Sequence, residues 1–256
     1  MSILSFVVNK AAPPPKIEDY TRFLFLGPHP DDIEIGAGGT AARLAAAGKQ
    51  VSFLICTDGR YGLDYMPEDM TPEALALIRK EESIGAAAKL GVRDVHFLGL
   101  QDGGGYEREE LICGIARVIG ELEPEVILAP DPCVDSECHT DHLNTGEAAR
   151  RLAFFAPFAQ IMASYGAKSA NVQAIAYYMT AKPNQYIETG RFRAVQAESI
   201  RRHRSQFPEN SEAWQQLDLY LRLRSTFFGL RRLKCHAEGF RVLSRTQMHC
   251  LPEAGL

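Results

Sequence analysis

Four short apolar runs restrict this chain more than any other feature: Phe23-Leu24-Phe25-Leu26, Val51-Ser52-Phe53-Leu54-Ile55-Cys56, Val95-His96-Phe97-Leu98 and Val126-Ile127-Leu128-Ala129. Each is strand-length, and each is separated from the next by helical periodicity. Such alternation argues for βαβ crossovers, which make neighbouring strands parallel and cover both faces of the sheet. The first helix is expected to open at Gly36-Ala37-Gly38-Gly39 and stop at Gly48. Others are expected over residues 72–90, between Pro72 and Gly91, over 107–121, and again from Asn144-Thr145-Gly146-Glu147. Residues 174–179 read as a further strand, 193–206 as a helix ended by Phe207-Pro208, and 212–233 as a longer basic helix. No internal repeat or linker divides the chain. The expected fold class is therefore α/β, a Rossmann-like and mostly parallel sheet with helices on both faces. A single domain over residues 21–256 would follow an N-terminal extended arm over 1–20, stiffened by Ala11-Ala12-Pro13-Pro14-Pro15.

Charge and cysteine usage narrow the function classes. With 28 basic against 32 acidic side chains and a formal charge of −4, the chain has no overall electrostatic footprint for nucleic acid. A local basic patch remains open around Arg201-Arg202-His203-Arg204, Arg222, Arg224 and Arg231-Arg232. No apolar run approaches the ~18 residues of a membrane span. The run Ile3–Val8 lacks a basic leader and a small-residue cleavage site, so it is not read as a signal peptide. Six cysteines, at 56, 113, 133, 138, 235 and 250, form no Cys-x-x-Cys pair. Reduced thiols in a cytoplasmic protein are expected. Cys133 and Cys138 flank His139, but their spacing fits no common zinc knuckle.

Ligands of parallel sheets sit outside the carboxyl ends of the strands. The polar motifs fall there: Pro28-His29-Pro30-Asp31-Asp32 after the first run, Thr57-Asp58-Gly59 after the second, Gln101-Asp102-Gly103 after the third, and Asp131–His142 after the fourth. His29, Asp32 and His142 supply two nitrogens and one oxygen, a set suited to a catalytic zinc with an open position. Asp31 would then lie beside the metal as a general base for its water. His139 lies three residues before His142, and Asp141 is placed to bond it and fix its tautomer. Each motif alone also reads as a surface turn, with Asp32 merely capping a helix. The glycines at 36, 38 and 39 resemble a phosphate loop, but two carboxylates at the turn would repel an anionic dinucleotide. They are read as letting the helix pack close under the metal loop.

These residues carry a family resemblance. Pro28–Asp32 with Gly36-x-Gly38-Gly39, and His139-x-Asp141-His142, resemble the two signature motifs of zinc-dependent N-acetylglucosaminyl deacetylases, the LmbE-like / PIG-L family. Thr57-Asp58-Gly59, Arg79-Lys80-Glu81-Glu82, Phe97–Gly103, Pro183-Asn184 and His203-Arg204-Ser205-Gln206 extend the match over about residues 22–245. The resemblance implies His29, Asp32 and His142 as zinc ligands, and Asp31 as the base that later hands its proton to the leaving amine. It implies a protonated His139, held by Asp141, as the group that steadies the oxyanion. Arg79 and Asp102 would grip sugar hydroxyls. On their own, Arg79 also reads as a surface arginine paired with Glu82, and Asp102 as a turn residue before Gly103-Gly104-Gly105. For His203 the reading is structural.

The function implied is hydrolysis of an N-acetyl group on an N-acetylglucosamine-type conjugate, with Zn2+ as cofactor and Fe2+ or cobalt compatible with the same donors. The resemblance also implies a homo-oligomer. Two rivals stay open: a hydrolase of a different N-acyl amide, and a non-catalytic sugar- or nucleotide-binding module on the same fold.

Overall fold

The computed structural model describes residues 7–249, other than residue 9, and residue 251. Most of the Ile3–Val8 run, and Cys250, therefore lie outside the described residues. Strands β1 (Arg22–Gly27), β2 (Gln50–Thr57), β3 (Asp94–Leu100), β4 (Val126–Pro130) and β5 (Ala174–Tyr178) are parallel. Strands β6 (Gln185–Glu188) and β7 (Ala237–Ser244) complete the sheet, with β7 antiparallel to both β5 and β6. The order is β3-β2-β1-β4-β5-β7-β6. The helices are α1 (Asp32–Ala46), α2 (Pro72–Lys89), α3 (Arg108–Leu122), α4 (Thr140–Phe155), α5 (Ala159–Ser164), α6 (Arg193–Ile200), α7 (Glu212–Leu230) and α8 (Arg245–His249). This is the expected α/β class, in one domain. Among the described residues no helix is long and apolar enough to cross a membrane.

Side chains alternate faces along a strand, so β1 feeds two cores. Phe23 and Phe25 join Ile33, Ala41, Phe53 and Leu90 on the face covered by α1 and α2. Leu24 and Leu26 join Leu111, Ile115, Ile119 and Leu152 on the face covered by α3 and α4. All four β1 side chains are buried, each adding about 1.5–3 kcal/mol of apolar burial. Chain order reverses between β1 and β4, which leaves a crevice at their carboxyl ends. The two histidine motifs follow these two strands.

Several boundaries differ from the sequence reading. Helix α1 starts at Asp32, not at the glycines, and breaks at Ala37 (φ −150°, ψ 15°). The freed N–H groups of Gly39 and Thr40 donate to the buried Glu238 carboxylate at 2.9 and 2.7 Å. The glycines let the helix pack close, as expected. A Cβ on Gly36 would stand 2.3 Å from the Tyr178 ring, and one on Gly39 2.9 Å from Thr189. Helix α4 begins at Thr140, four residues before the expected start, with His139 as its N-cap. The helix expected to reach 206 ends at Ile200, and in the turns beyond it the Glu82 carboxylate holds Ser205 through both its N–H (2.8 Å) and its hydroxyl (2.6 Å). The last third also contains two strands, β6 and β7, that were not expected.

Residues 12–17 lie on their own chain. Ile17 is buried, Gln185 takes the Ile17 N–H and donates to Pro15 O, and Gln247 donates to Ala12 O.

Candidate active site and metal centre

Strand β1 delivers Pro28-His29-Pro30-Asp31 into the crevice, and Thr57 at the end of β2 holds that turn. Both the Thr57 N–H and its hydroxyl donate to Pro28 O, at 2.8 and 2.9 Å. Asp31 then takes φ +120°, a conformation that is costly for a non-glycine residue and that persists where surrounding contacts enforce it. The enforcing side chain is Arg79, buried on α2. Its guanidinium donates to Pro30 O at 2.7 Å, to Asp31 Oδ2 at 3.1 Å and to Gly59 O at 2.8 Å. Arg79 is thus neither on the surface nor paired with Glu82.

Three donor atoms converge at the first motif. His29 Nδ1 lies 3.1 Å from Asp32 Oδ2, and His142 Nε2 lies 3.3 Å from the same oxygen. Asp32 Oδ2 also accepts the His29 backbone N–H at 2.8 Å. On its other side, His29 Nε2 lies 3.1 Å from Asp102 Oδ1 and 3.1 Å from Asp141 Oδ2. The site accordingly offers two donor groups that share His29: His29, Asp32 and His142, and His29, Asp102, His139 and Asp141. Within either group, the donor atoms lie within 4.8 Å of one another. Either could hold a metal ion. The exposed Cys133 and Cys138 belong to neither.

The charge balance fits a cation. Asp31, Asp32, Asp102 and Asp141 are all buried here, and Arg79 is the buried guanidinium that faces Asp31. Buried carboxylates are stable only when paired or coordinating. In the protein alone that demand falls on His29: burial depresses its pKa, but Asp102, Asp141 and Asp32 outweigh this and push it up to about 12. A divalent ion would meet the same demand. Burial raises Asp32, yet His142 and His29 hold it well below the usual carboxylate range. Burial pushes Asp31 up to about 6, Arg79 opposing and Asp32 adding to the rise. Burial raises Asp102 too, but His29 overrides it and holds Asp102 low.

Asp141 works differently from expectation. Its carboxylate stands 3.9 Å from His139 Nδ1, which instead accepts the Asp141 backbone N–H at 3.3 Å. The fully buried carboxylate accepts from Gly103 N (2.8 Å), Gly104 N (2.9 Å) and Tyr106 Oη (2.8 Å) while facing His29. It therefore ties the loop after β3 to the His29 imidazole. Burial opposes its ionisation, but His29, Tyr106 and Gly103 hold its pKa far below normal. His139 is half exposed at the rim, its ring 4.5 Å from that of His29. Burial, then His29 and His142, lower its pKa.

Glu137 was missed by the sequence reading. Its Oε1 accepts the His139 N–H at 2.8 Å, and its Oε2 lies 3.1 Å from His142 Nδ1. A carboxylate two residues before a His-x-x-His pair was the available signal, since ligating histidines usually present their second nitrogen to one. Asp131, which opens this loop, was also unassigned. It forms a buried ion pair with Arg241 of β7, with Arg241 Nε 2.8 Å from Asp131 Oδ2, and accepts from Thr180 Oγ1 at 2.6 Å. His203 is fully buried, its Nε2 3.7 Å from Glu34 Oε1 behind the Asp31 turn, in keeping with a structural place.

Known proteins resemble the chain in both sequence and fold. The family model "PIG-L: GlcNAc-PI de-N-acetylase" matches residues 24–153. A diacetylchitobiose deacetylase of Thermococcus kodakarensis is 32% identical over 257 residues, covering 99% of this chain and 93% of the relative. A 1D-myo-inositol 2-acetamido-2-deoxy-alpha-D-glucopyranoside deacetylase of Kineococcus radiotolerans is 33% identical, over 53% of this chain and 45% of its own length. The solved N,N'-diacetylchitobiose deacetylase of Pyrococcus horikoshii, in complex with its inhibitor MPG, superposes with a TM-score of 0.84 at 28% identity. That match covers 98% of this chain and 97% of the other.

Proposed function

We propose, from the premise that this chain belongs to the PIG-L family of GlcNAc-PI de-N-acetylases, that it is a hydrolase removing the N-acetyl group from an N-acetylglucosamine-type conjugate. The observation that carries the mechanism is the convergence of His29 Nδ1, His142 Nε2 and Asp32 Oδ2 beside the strained Asp31.

We assign the metal to these three donors rather than to the group containing Asp141. The Asp141 oxygens already accept from Gly103, Gly104 and Tyr106, so they are committed to holding His29. With His29 binding through Nδ1, its Nε2–H faces Asp102 and Asp141, the carboxylate–histidine–metal arrangement that orients ligating imidazoles. Two imidazoles and one carboxylate suit zinc. When bound, the ion supplies a Lewis acid for the acyl carbonyl and acidifies a water.

The chain's own groups do the rest. Asp31, set by Arg79, takes a proton from the attacking water and passes it to the amine nitrogen as the C–N bond breaks. His139 Nδ1 accepts from Asp141 N, which leaves Nε2–H free to donate to the oxyanion. Burial, His29 and His142 lower the pKa of His139, which disfavours the imidazolium that the resemblance implies. We assign Asp102, whose Oδ1 lies 3.1 Å from His29 Nε2, to a sugar hydroxyl. Arg79 acts through the Asp31 turn. Residues 21–256 form the catalytic unit.

We place the protein in the cytoplasm, which the five free cysteines of the described residues support. We also infer a homo-oligomer, supported by the exposed Leu219, Leu223, Phe227 and Leu230 on α7. Acetate release from N-acetylglucosamine and N,N'-diacetylchitobiose, followed with metal content, tests the function. Turnover that disappears on chelation and returns with zinc is expected. A fully metal-loaded protein that releases no acetate from any N-acetylglucosamine conjugate contradicts it.

A further inference from the structure

We propose that Tyr61 is a stacking platform for the unit joined to the N-acylated sugar, so that the site favours a conjugate over free N-acetylglucosamine. This rests on the deacetylase reading above.

Tyr61 lies in the connection between β2 and α2, and it is 51% exposed. An exposed tyrosine in a long connection is ordinarily mobile. This one is held at its backbone, its hydroxyl and one ring edge. Its N–H donates to Asp102 Oδ2 at 3.3 Å, and its hydroxyl accepts from Gln101 Nε2 at 2.8 Å. One edge of the ring lies beside Gly103, where a Cβ would come 3.7 Å from Cδ2. The flanking residues are fixed as well. Gly59 O accepts from Arg79 at 2.8 Å, Arg60 is paired with Asp58 and Glu73, and Gly62 O accepts from Gln206 at 2.8 Å. A rigid aromatic face left open to water is a preorganised contact, whose ordering cost is met on folding rather than on binding.

Its place relative to the chemistry sets its partner. Asp102 bridges the two regions, with Oδ1 3.1 Å from His29 Nε2 and Oδ2 on the Tyr61 N–H. The acyl group must lie at His29 and Asp31, and the sugar that bears it reaches Asp102. The next unit then meets Tyr61. A pyranose presents an apolar C–H face to such a ring and hydroxyls to its edge, where the Tyr61 hydroxyl and the Gln101 amide stand.

The test compares N,N'-diacetylchitobiose with N-acetylglucosamine. Tyr61→Ala is expected to lower the ratio of their kcat/KM values about tenfold, chiefly through KM for the disaccharide. Tyr61→Phe, which keeps the ring and loses only the Gln101 bond, keeps that ratio within about twofold of wild type. Equal losses on both sugars would assign Tyr61 to loop structure and overturn the proposal, as would an unchanged ratio in Tyr61→Ala. Calorimetric titration of diacetylchitobiose into Asp31→Asn and into Asp31→Asn/Tyr61→Ala reads binding without turnover. About tenfold weaker binding in the double variant is expected. If the wild type hydrolyses neither sugar, the deacetylase reading fails while this titration still decides on Tyr61. Equal affinities, or no binding to either protein, overturn the platform.

Discussion

The two sides of the sheet are built on different terms. Strands β1, β2 and β4 bury mostly apolar side chains, and β1–β4 keep their polar chemistry beyond their carboxyl ends. Strand β7, on the other side, buries Glu238 and Arg241 within its own length. Yet β7 lends no donor to the candidate metal centre. Its charges act backwards into the other half: Arg241 grips Asp131 at the root of the loop carrying Glu137, His139 and His142, and Glu238 caps the break in the helix that starts at Asp32. The turn after α6 does the same, with Ser205 on Glu82 of α2 and His203 beside Glu34 of α1. One side supplies the reactive groups, and the other adds to the holds that Thr57 and Arg79 already place on the backbones that aim them.

This division predicts that substitutions on the two sides separate turnover from stability. Asp31→Asn is expected to lower kcat about 10³-fold while metal content and thermal midpoint stay at wild-type values. Steady-state kinetics beside metal analysis check this, and near-wild-type kcat would remove Asp31 as the base. Arg241→Ala leaves the Asp131 charge buried without its partner. Urea denaturation should show a loss of about 3 kcal/mol, since breaking a buried pair strands an uncompensated charge. A loss within error would show that β7 does not hold the loop. Glu238→Gln keeps the shape but weakens the cap on Gly39 and Thr40, for a loss of about 1 kcal/mol by the same method.

The smallest effect is in the pH dependence. Burial raises Asp131, but Arg241 and Thr180 hold its carboxyl below the usual range. A depressed folded pKa gives stability that is present above the unfolded pKa, about 3.9, and is lost as pH falls through the folded value. The fall in wild-type stability on acidification through this window should be shallower in Asp131→Asn/Arg241→Met, measured by denaturant midpoints. Identical slopes would deny the pair its share.

What was legible in the sequence follows the same division. The apolar alternation of β1, β2 and β4 and the motifs at their ends depend on neighbours in the chain, so fold class and the convergence of His29, Asp32 and His142 were readable. Strand β7 was hidden because Glu238 and Arg241 break its apolar run, and their partners, Gly39, Thr40 and Asp131, are more than a hundred residues away. The start of α4 was misplaced because histidine is a weak N-cap signal while Asn144-Thr145 looks like a good one. Arg79 gave no sign of burial, since two of its three partners, Pro30 O and Gly59 O, are backbone carbonyls with no side-chain signature, and the third, Asp31, is 48 residues away.

The central claim is that His29, Asp32 and His142 hold one divalent ion, with Asp31 beside it rather than bound to it. Metal analysis of purified wild type, Asp31→Asn and His142→Ala tests this most directly. We expect about one zinc per chain in the first two and a small fraction of that in His142→Ala, as for a three-ligand catalytic site. Wild-type metal content in His142→Ala, in a protein that remains folded, would contradict it.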